Sequence, residues 1–356
     1  MVSMGLRMMW NPESPFYFKP RLSWDLMKWA WRFARSSTLA HVERSAPLLR
    51  DLNLASRRAY EELASEQGNK FGLVQKGLML LCRTKHALAE ETATAARGRG
   101  LGLTAEILTP EEAARLQPGL GMDIAGAVYF PDDCHLIPDR LLAGLTRSLE
   151  KLGVTFHWST PVTGWVPGHG SVRAARTPAG EFTADEFVLA AGSWSAEIAR
   201  DLGVALPLQA GKGYSITVPR PREMPSVPCI LTEARVAVTP MGGALRFAGT
   251  MELAGLDETI NERRVRGILK SIPGYFPAFS MEGFRDIRAW SGLRPCTPDG
   301  LQYVGRVKGW GNLCAATGHA MMGLSLGPVT GKLVAAILNG EETFIPIQAL
   351  DPNRFG

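Results

Sequence analysis

Hydrophobic positions along the chain recur with two different periods. Apolar residues repeat every three or four positions at 45–66, 109–120, 138–152 and 258–270, which predicts four helices. The second of these begins with a capping pattern and is stopped by Pro118. Alternating or short apolar runs predict strands at 71–82 (as a pair), 126–130, 154–158, 161–166, 171–177, 181–190, 214–218, 235–239 and 245–249.

The order of these elements predicts a mixed α/β fold. The strand at 126–130, the helix at 138–152 and the strand at 154–158 imply a parallel crossover. The strands from 214 to 249, with a turn at 241–243, predict an antiparallel sheet. A chain of 356 residues with 46% hydrophobic content is long enough for two domains. We therefore expect a parallel-sheet domain and an antiparallel-sheet domain.

Two segments near the end of the chain carry the candidate chemistry. SGLRPCTPDG (291–300) places Arg294 between a glycine and a proline, and NLCAATGHAMMGLSLGPVTGKLVAAIL (312–338) predicts a strand, a glycine-rich turn and a helix. Gly318 and Gly323 allow the backbone to approach a flat ligand closely, and the positive end of the following helix favours an anion. This arrangement suits a reduced flavin.

These segments resemble the closing part of the glycine/D-amino-acid oxidase family of FAD-dependent oxidoreductases, and most closely its bacterial D-amino-acid dehydrogenase branch. Three further segments agree with the resemblance, which runs from about Leu6 to the end of the chain. They are GAVYFPDDCHLIPDRLLAGL (126–145), FTADEFVLAAGSWSAEIARDLGV (182–204) and LQAGKGYSITV (208–218). The resemblance implies a doubly wound FAD-binding domain, formed by 134–204 and 286–350, and an antiparallel-sheet substrate domain, formed by 1–133 and 205–285.

The resemblance also implies roles for individual residues. Arg294 is expected to bind the substrate carboxylate, because a guanidinium fork matches a planar carboxylate. Lys212, Tyr214 and Met321 are expected to line the substrate cleft, although Tyr214 is equally well explained as an ordinary strand aromatic. The expected FAD contacts are Val162, Ala191, Gly192, Trp194, Gly318, His319, Met322, Gly323, Leu324 and Ser325. For Val162 and His319, simple packing is an open alternative.

One motif of the family is missing from the sequence. Its members begin with a strand, a G-x-G-x-x-G turn and a helix that bind the FAD pyrophosphate, and the FAD-binding domain is therefore expected to be incomplete at its N-terminus. The RGRGLGLTAE segment (97–106) does not follow an apolar strand, so we interpret it as a solvated loop. A truncated, non-catalytic remnant or a misplaced start codon remains an alternative to an active enzyme.

Two departures from glycine oxidases narrow the substrate. Met321 stands where those enzymes carry a second arginine, and Ala237 stands where they carry a tyrosine. The resemblance then implies FAD-dependent oxidative deamination of a D-amino acid with a larger, more apolar side chain, with electrons passed to a quinone or another carrier. A glycine- or sarcosine-type amine oxidase is the alternative enzyme.

Positive charge is concentrated near the N-terminus. Residues 1–60 contain ten Lys and Arg against four Asp and Glu, a net charge of +6, whereas the whole chain carries +5. The same stretch includes Trp10, Trp24, Trp29 and Trp31. A basic aromatic surface of this kind is typical of peripheral contact with anionic lipid. The favoured alternative is a helical subdomain whose tryptophans lie in the core.

The sequence shows no sign of disulfides, a membrane span, a metal site or a nucleic-acid-binding module. The five cysteines form no C-x-x-C pair, which favours a reducing cytoplasm. No apolar run appears long enough to span a membrane, and no signal peptide pattern is present. No metal-ligand spacing is present, and no nucleic-acid-binding module accompanies the basic residues. We therefore expect a cytoplasmic enzyme, peripheral on the inner face of the membrane if the basic surface is used.

Overall fold

The computed structural model of the protein describes residues 16–18 and 23–356. The helices are α1 (Trp24–Ser36), α2 (Leu39–Glu66), α3 (Lys85–Gly100), α4 (Pro110–Leu116), α5 (Pro138–Lys151), α6 (Ser195–Arg200), α7 (Glu262–Ser271) and α8 (Gly323–Asn339). The strands are β1 (Phe16–Phe18), β2 (Leu78–Cys82), β3 (Glu106–Leu108), β4 (Gly126–Phe130), β5 (Gly164–Pro167), β6 (Val172–Thr177), β7 (Gly180–Thr183), β8 (Phe187–Leu189), β9 (Gln209–Pro219), β10 (Cys229–Leu231), β11 (Val236–Met241), β12 (Ala244–Leu253), β13 (Ala289–Cys296), β14 (Tyr303–Arg306) and β15 (Leu313–Thr317).

The largest element is a nine-stranded, mainly antiparallel sheet. Its strands follow the order β13-β9-β12-β11-β10-β2-β4-β3, with β1 paired to β12. One face is covered by α7 and α4 and forms the main core, because alternate residues of β11 and β12 such as Val238, Leu245 and Phe247 are buried there. The opposite face is lined by the other alternate positions of the same strands.

A second, smaller sheet packs against the long helices. It contains β14, β15 and β8, with β15 and β8 parallel. Helix α8 lies between this sheet and α2, and its apolar positions Leu326, Val329 and Leu333 meet Leu52 of α2 and Val304 of β14 in one buried cluster. Strands β5, β6 and β7 form a separate antiparallel meander.

Most predicted elements are present, with four differences. Residues 154–158 form no strand, so the predicted parallel crossover is wrong. Val154 and Trp158 remain exposed because no strand among the described residues offers their backbone a partner. The apolar run at 181–190 splits into β7 and β8, and the predicted strand pair at 71–82 is reduced to β2 and one isolated bridge. The predicted loop at 97–106 includes the last turn of α3, a helix that the sequence analysis did not anticipate.

The packing also differs from the predicted division into domains. Strand β13 lies within 286–350, yet it pairs with β9 in the large sheet. Helix α2 lies within 1–133, yet it packs on α8 and the small sheet. Hydrophobic burial decides both placements. We therefore propose a division in which β13 belongs to the substrate domain and α2 to the cofactor domain.

The N-terminal tryptophans fall into two groups. Trp29 is buried, and its Nε1 donates a hydrogen bond to the Cys296 carbonyl at 2.9 Å. Trp24 and Trp31, in contrast, are 70% and 59% exposed. The prediction that the tryptophans lie in the core is thus correct for Trp29 and wrong for Trp24 and Trp31, while Trp10 lies outside the described residues.

One helical stretch, Ala320–Asn339, is long and apolar enough to cross a membrane by length and composition. This finding contradicts the expectation that no run of this kind exists. It is weak evidence for a membrane span, because one side of α8 packs on α2 and the small sheet.

Candidate active site

The face of the large sheet opposite the main core carries Ser215, Ala248 and Arg294, and we call it the open face. Strand β13, at the edge of this face, contacts two turns. Strand β13 contacts both the 3-10 turn Gly192–Trp194, which follows β8, and the 3-10 turn Ala320–Met322, which precedes α8. The structure thus brings the predicted arginine strand next to both segments predicted to contact FAD. Arg294 lies on β13 two residues before Cys296, which forms an isolated bridge with His319.

Arg294 is a half-buried cation without an acidic partner. On β13 it faces Gly211 of β9, and its guanidinium lies so close to Gly213 that a Cβ at that glycine would come within 2.2 Å of it. Its Nη1 donates to the Thr250 carbonyl at 2.8 Å, and no carboxylate lies within ion-pair distance among the described residues. Burial lowers the pKa of Arg294. A bound anion would restore the lost solvation, so this position suits a carboxylate.

The carbonyl that holds Arg294 belongs to a strained residue. Thr250 has a φ of +71°, which is unusual for a β-branched side chain. It lies in an irregularity of β12 where the register with β9 shifts between Gly249 and Glu252. Bulges of this kind redirect backbone groups next to functional sites. Here the bulge turns a carbonyl toward the Arg294 guanidinium.

Lys212 and Tyr214 do not join Arg294. They lie on the opposite face of β9, because β-strand side chains alternate and Arg294 pairs with Gly211. Lys212 Nζ donates to the Thr259 carbonyl at 2.8 Å and lies 3.4 Å from Asp257 Oδ2, while the Tyr214 hydroxyl donates to Glu252 Oε2 at 2.6 Å. The structure thus separates these two residues from Arg294, and their part in substrate binding stays a prediction.

A cavity of about 510 Å³ lies on that opposite face. Lys212, Glu252 and Asp257 line it, but each of these charges already has a partner. We do not assign the substrate to this cavity, because its groups are satisfied by one another.

The first turn of α8 fits the ring end of FAD. Its N-cap residue, Met322, provides no side-chain acceptor, so the first backbone N–H groups of the helix are left for a ligand. Residues 321–325 are all exposed, and they include the apolar side chains of Met321, Met322 and Leu324. Gly323 has no close neighbour that would exclude a ligand. A flat, partly apolar group with an anionic edge suits this surface.

Gly318 and His319 have partners within the protein. A Cβ at Gly318 would lie 2.6 Å from the Thr297 side chain, and its φ of +82° also favours glycine. The His319 ring Nε2 hydrogen-bonds with Thr330 Oγ1 at 2.9 Å, and burial lowers the pKa of His319 to about 4. Both residues shape the turn, and the packing alternative for His319 is supported by this contact. Their contact with FAD stays a prediction.

The remaining predicted cofactor residues surround the other 3-10 turn. Ala191 and Gly192 follow β8, Gly192 has a φ of +54°, and Trp194 is half-exposed. Ser193 Oγ between them is buried without a hydrogen-bond partner, as expected of a polar atom that a bound group would satisfy. Val162 is part of a half-exposed loop before β5. Its proposed role toward FAD stays a prediction.

Helix α2 completes the backbone bonding of the α8 turn. Pro328 has no N–H, so the Leu324 carbonyl lacks its usual helical donor. The Tyr60 hydroxyl donates to this carbonyl at 2.6 Å, and Ser56 Oγ donates to the Ser325 carbonyl at 2.5 Å. Two side chains of α2 therefore hold the turn that is predicted to contact FAD.

The sequence analysis missed Arg246 and Trp290 on the same open face. Arg246 is two residues from Ala248 on β12, so the two side chains share a face, and it pairs with Thr239 of β11. Trp290 pairs with Ser215 of β9. A signal was present in the hairpin at 235–249, where small or polar residues alternate with buried Val236, Val238, Leu245 and Phe247. That alternation places Arg246 on the face away from the core.

Comparison with known proteins decides the family. A family model described as DAO, FAD dependent oxidoreductase, matches residues 28–337. The chain belongs to this family. FAD is therefore its cofactor, and its ring end fits the uncapped α8 turn described above.

The most similar relatives support one branch of the family. The chain is 30% identical to a D-amino acid dehydrogenase of Vibrio vulnificus strain YJ016 over 95% of this chain and 82% of that protein. It is 30% identical to a D-amino acid dehydrogenase of Neisseria meningitidis over 99% of this chain and 84% of that protein. The protein is a D-amino-acid-dehydrogenase-like oxidoreductase.

Solved structures support the fold. Glycine oxidase from Geobacillus kaustophilus is 27% identical with a TM-score of 0.79, covering 86% of this chain and 83% of that one. L-proline dehydrogenase from P. horikoshii, at 20% identity and a TM-score of 0.76, shares the fold over 85% of this chain and 82% of that one. The expected mixed α/β fold of an FAD-binding and a substrate domain is confirmed.

Proposed function

We propose that the protein catalyses oxidative deamination of D-amino acids. The observation that carries the proposal is Arg294, a half-buried guanidinium that has no acidic partner within 16–18 and 23–356, on the strand that contacts the α8 turn. A carboxylate is the anion that an amino acid offers to this group. The D-amino acid dehydrogenase relatives support the choice of substrate class.

The residues of this chain orient the substrate. Arg294 holds the α-carboxylate against the open face, with Thr250 fixing the guanidinium. FAD, when bound, supplies the two-electron acceptor for the hydride of the Cα–H bond. The substrate leaves as an imine, which water hydrolyses to a 2-oxo acid and ammonia. Hydride loss from a neutral amine requires no dedicated base, so His319 has no part in proton transfer.

Ala237 supports a substrate larger than glycine. It lies on the open face opposite Ala248, where a larger residue would take up space above the sheet. A glycine or sarcosine oxidase activity is the second candidate, because glycine oxidase is among the similar structures. We expect D-alanine and larger D-amino acids to reduce an artificial dye faster than glycine, sarcosine or L-amino acids do, in the FAD-loaded protein. Faster turnover of glycine or sarcosine would favour the second candidate.

We infer that electrons pass to a quinone or carrier near a lipid surface. Helix α1 exposes Trp24, Met27 and Trp31 on one side, with Lys28 and Arg35 among them. The Arg35 guanidinium lies 4.7 Å from the Trp31 ring centroid. Exposed tryptophan with flanking cations is typical of surfaces that bind anionic lipid headgroups. We propose peripheral attachment to the inner membrane face on this basis.

Co-sedimentation with vesicles tests the attachment. Wild-type protein should bind phosphatidylserine vesicles, weakly bind phosphatidylcholine vesicles, and lose part of its binding as salt screens the charges. Trp24→Ser with Trp31→Ser should lose binding, whereas Trp158→Ser, which changes an exposed tryptophan elsewhere, should keep it. Equal binding by both variants, or oxygen consumed as fast as a quinone analogue is reduced, would contradict the proposal.

A further inference from the structure

Arg246 is a second arginine of the open face that has no acidic partner in the part of the chain that the structure describes. Its Nη2 donates to Ser215 Oγ at 3.1 Å, and its guanidinium lies 4.8 Å from the Trp290 ring centroid. Its Nε is buried and has no hydrogen-bond partner. Asp139 is the nearby acid, but it forms no ion pair with Arg246 among the described residues.

Other arginines of similar burial are paired. Arg354 bonds Asp299 with Nε to Oδ2 at 2.8 Å, and Arg306 forms an ion pair with Glu186. A half-buried guanidinium normally acquires such a partner, because its desolvation is otherwise uncompensated. Arg246 and Arg294 depart from this pattern on the same face of the same sheet.

The two arginines border a common floor. Arg294 lies over Gly213, and Arg246 bonds Ser215, the next same-face residue of β9. Same-face neighbours on a strand are roughly 7 Å apart. The Trp290 ring lies over Gly292 between them, because a Cβ at Gly292 would be 3.0 Å from that ring. The floor is thus made of glycine backbone and an indole, with a cation at each side.

We propose that this floor binds an amino acid with two carboxylates, and that Arg246 holds the side-chain carboxylate while Arg294 holds the α-carboxylate. The inference rests on the proposed function and deepens it to acidic D-amino acids of four or five carbons. Two separate guanidinium groups suit two separate carboxylates better than one shared carboxylate, because each fork binds a whole carboxylate. The sequence analysis predicted an apolar side-chain pocket from Met321 and Ala237. Arg246 instead adds a positive charge to that pocket.

Kinetics of the FAD-loaded protein test the assignment. For Arg246→Gln, the ratio of kcat/KM for D-glutamate to that for D-glutamine should fall at least tenfold, and Arg246→Lys should recover part of it. Arg246→Glu should reverse the preference toward D-lysine. Arg173→Gln, which changes a strand arginine in the meander, should keep the wild-type ratio. A wild-type ratio in Arg246→Gln would overturn the proposal.

Calorimetry provides a readout that does not depend on turnover. Glutarate should bind the FAD-loaded wild-type protein at least tenfold more tightly than pentanoate, and Arg246→Gln should remove this difference. Equal affinity for the two acids in the wild type would overturn the inference. Arg246-dependent glutarate binding without oxidation of any D-amino acid would support the two-carboxylate site and contradict the proposed function. Oxidation of D-amino acids with no preference for glutarate would support the proposed function and contradict the two-carboxylate site.

Discussion

The two faces of the large sheet carry their charges in opposite ways. On the core face, Lys212 contacts Asp257 and Tyr214 donates to Glu252, so each buried charge has a partner from the same chain. On the open face, the contacts that the described residues offer are a carbonyl for Arg294 and a hydroxyl for Arg246. The same strand, β9, supplies residues to both faces, so sequence position alone does not distinguish structural from ligand-binding charges.

This difference between the faces separates charges that stabilise the fold from charges that bind a ligand. A charge with an internal partner contributes to stability, and removing either partner leaves the other uncompensated. A buried charge without a partner lowers stability unless a ligand binds it. Substitutions on the two faces should therefore affect stability and activity in opposite proportions.

Replacement of Arg294 should have the largest effect. For Arg294→Met we expect kcat/KM for D-amino acids to fall roughly a thousandfold. This factor corresponds to about 4 kcal/mol of lost transition-state stabilisation, because a desolvated charge-assisted pair is lost. Arg294→Lys should recover little, because an ammonium does not reproduce the fork. Steady-state kinetics with a dye acceptor measure both. The unfolding free energy of the substrate-free protein should stay the same or rise, and a large loss of stability with unchanged kinetics would reverse our assignment of the faces.

His319 should make the unfolding free energy depend on pH. The folded-state pKa of His319 is about 4, lowered by burial, against an ordinary value of 6.5. As pH falls from about 6.5 to 4, the unfolded chain binds a proton that the folded chain does not, so stability is lost by roughly 3 kcal/mol. His319→Gln should flatten this part of the stability curve, measured by urea unfolding. The exposed His86→Gln serves as the control, and an equal slope in both variants would contradict the assignment.

Removal of the Tyr214 hydroxyl should lower the stability of the core face of the large sheet. Tyr214→Phe leaves the buried Glu252 carboxylate without its 2.6 Å donor, so we expect a loss of about 2 kcal/mol in unfolding free energy. The FAD-loaded protein should keep its wild-type kcat/KM, because Tyr214 faces away from Arg294. Lower kcat/KM at unchanged stability would place Tyr214 in the substrate site after all.

The smallest effect is expected at the strained residue between the faces. Thr250→Gly should raise the unfolding free energy by about 1 kcal/mol, because glycine adopts a φ of +71° without strain. The carbonyl that holds Arg294 is then less rigidly placed, so KM should rise modestly. Thr239→Gly, on β11, should instead lower stability, since strand interiors disfavour glycine. A destabilised Thr250→Gly protein would show that the bulge is not strained.

The sequence predicted individual elements better than it predicted which residues share a face. The hairpin at 235–249 and Arg294 were recognisable, because alternation and turn residues lie close together in the chain. The position of Lys212 relative to Arg294 depends on the register between β9 and β13, and a slip of one residue exchanges the faces. Nothing in either strand alone fixes that register.

Two other errors have the same physical origin. Residues 154–158 have a strand-like pattern, but a strand requires a partner that supplies its backbone hydrogen bonds. Helix α3 lacks a clear apolar stripe, since it is rich in Ala and Thr, and only its packing on β4 through Ala95 makes it recognisable. Tertiary contacts decided both cases, and those contacts are not visible within a local window.

Tyr60 and Pro328 also constrain how this chain can vary. Proline at 328 removes an amide from α8, and the phenol of a different helix replaces that amide at the Leu324 carbonyl. Tyr60 compensates for the missing N–H of Pro328, so we expect Tyr60→Phe to be tolerated best when residue 328 regains an N–H. Two positions 268 residues apart in the chain therefore determine together the backbone geometry of the turn that is predicted to contact FAD.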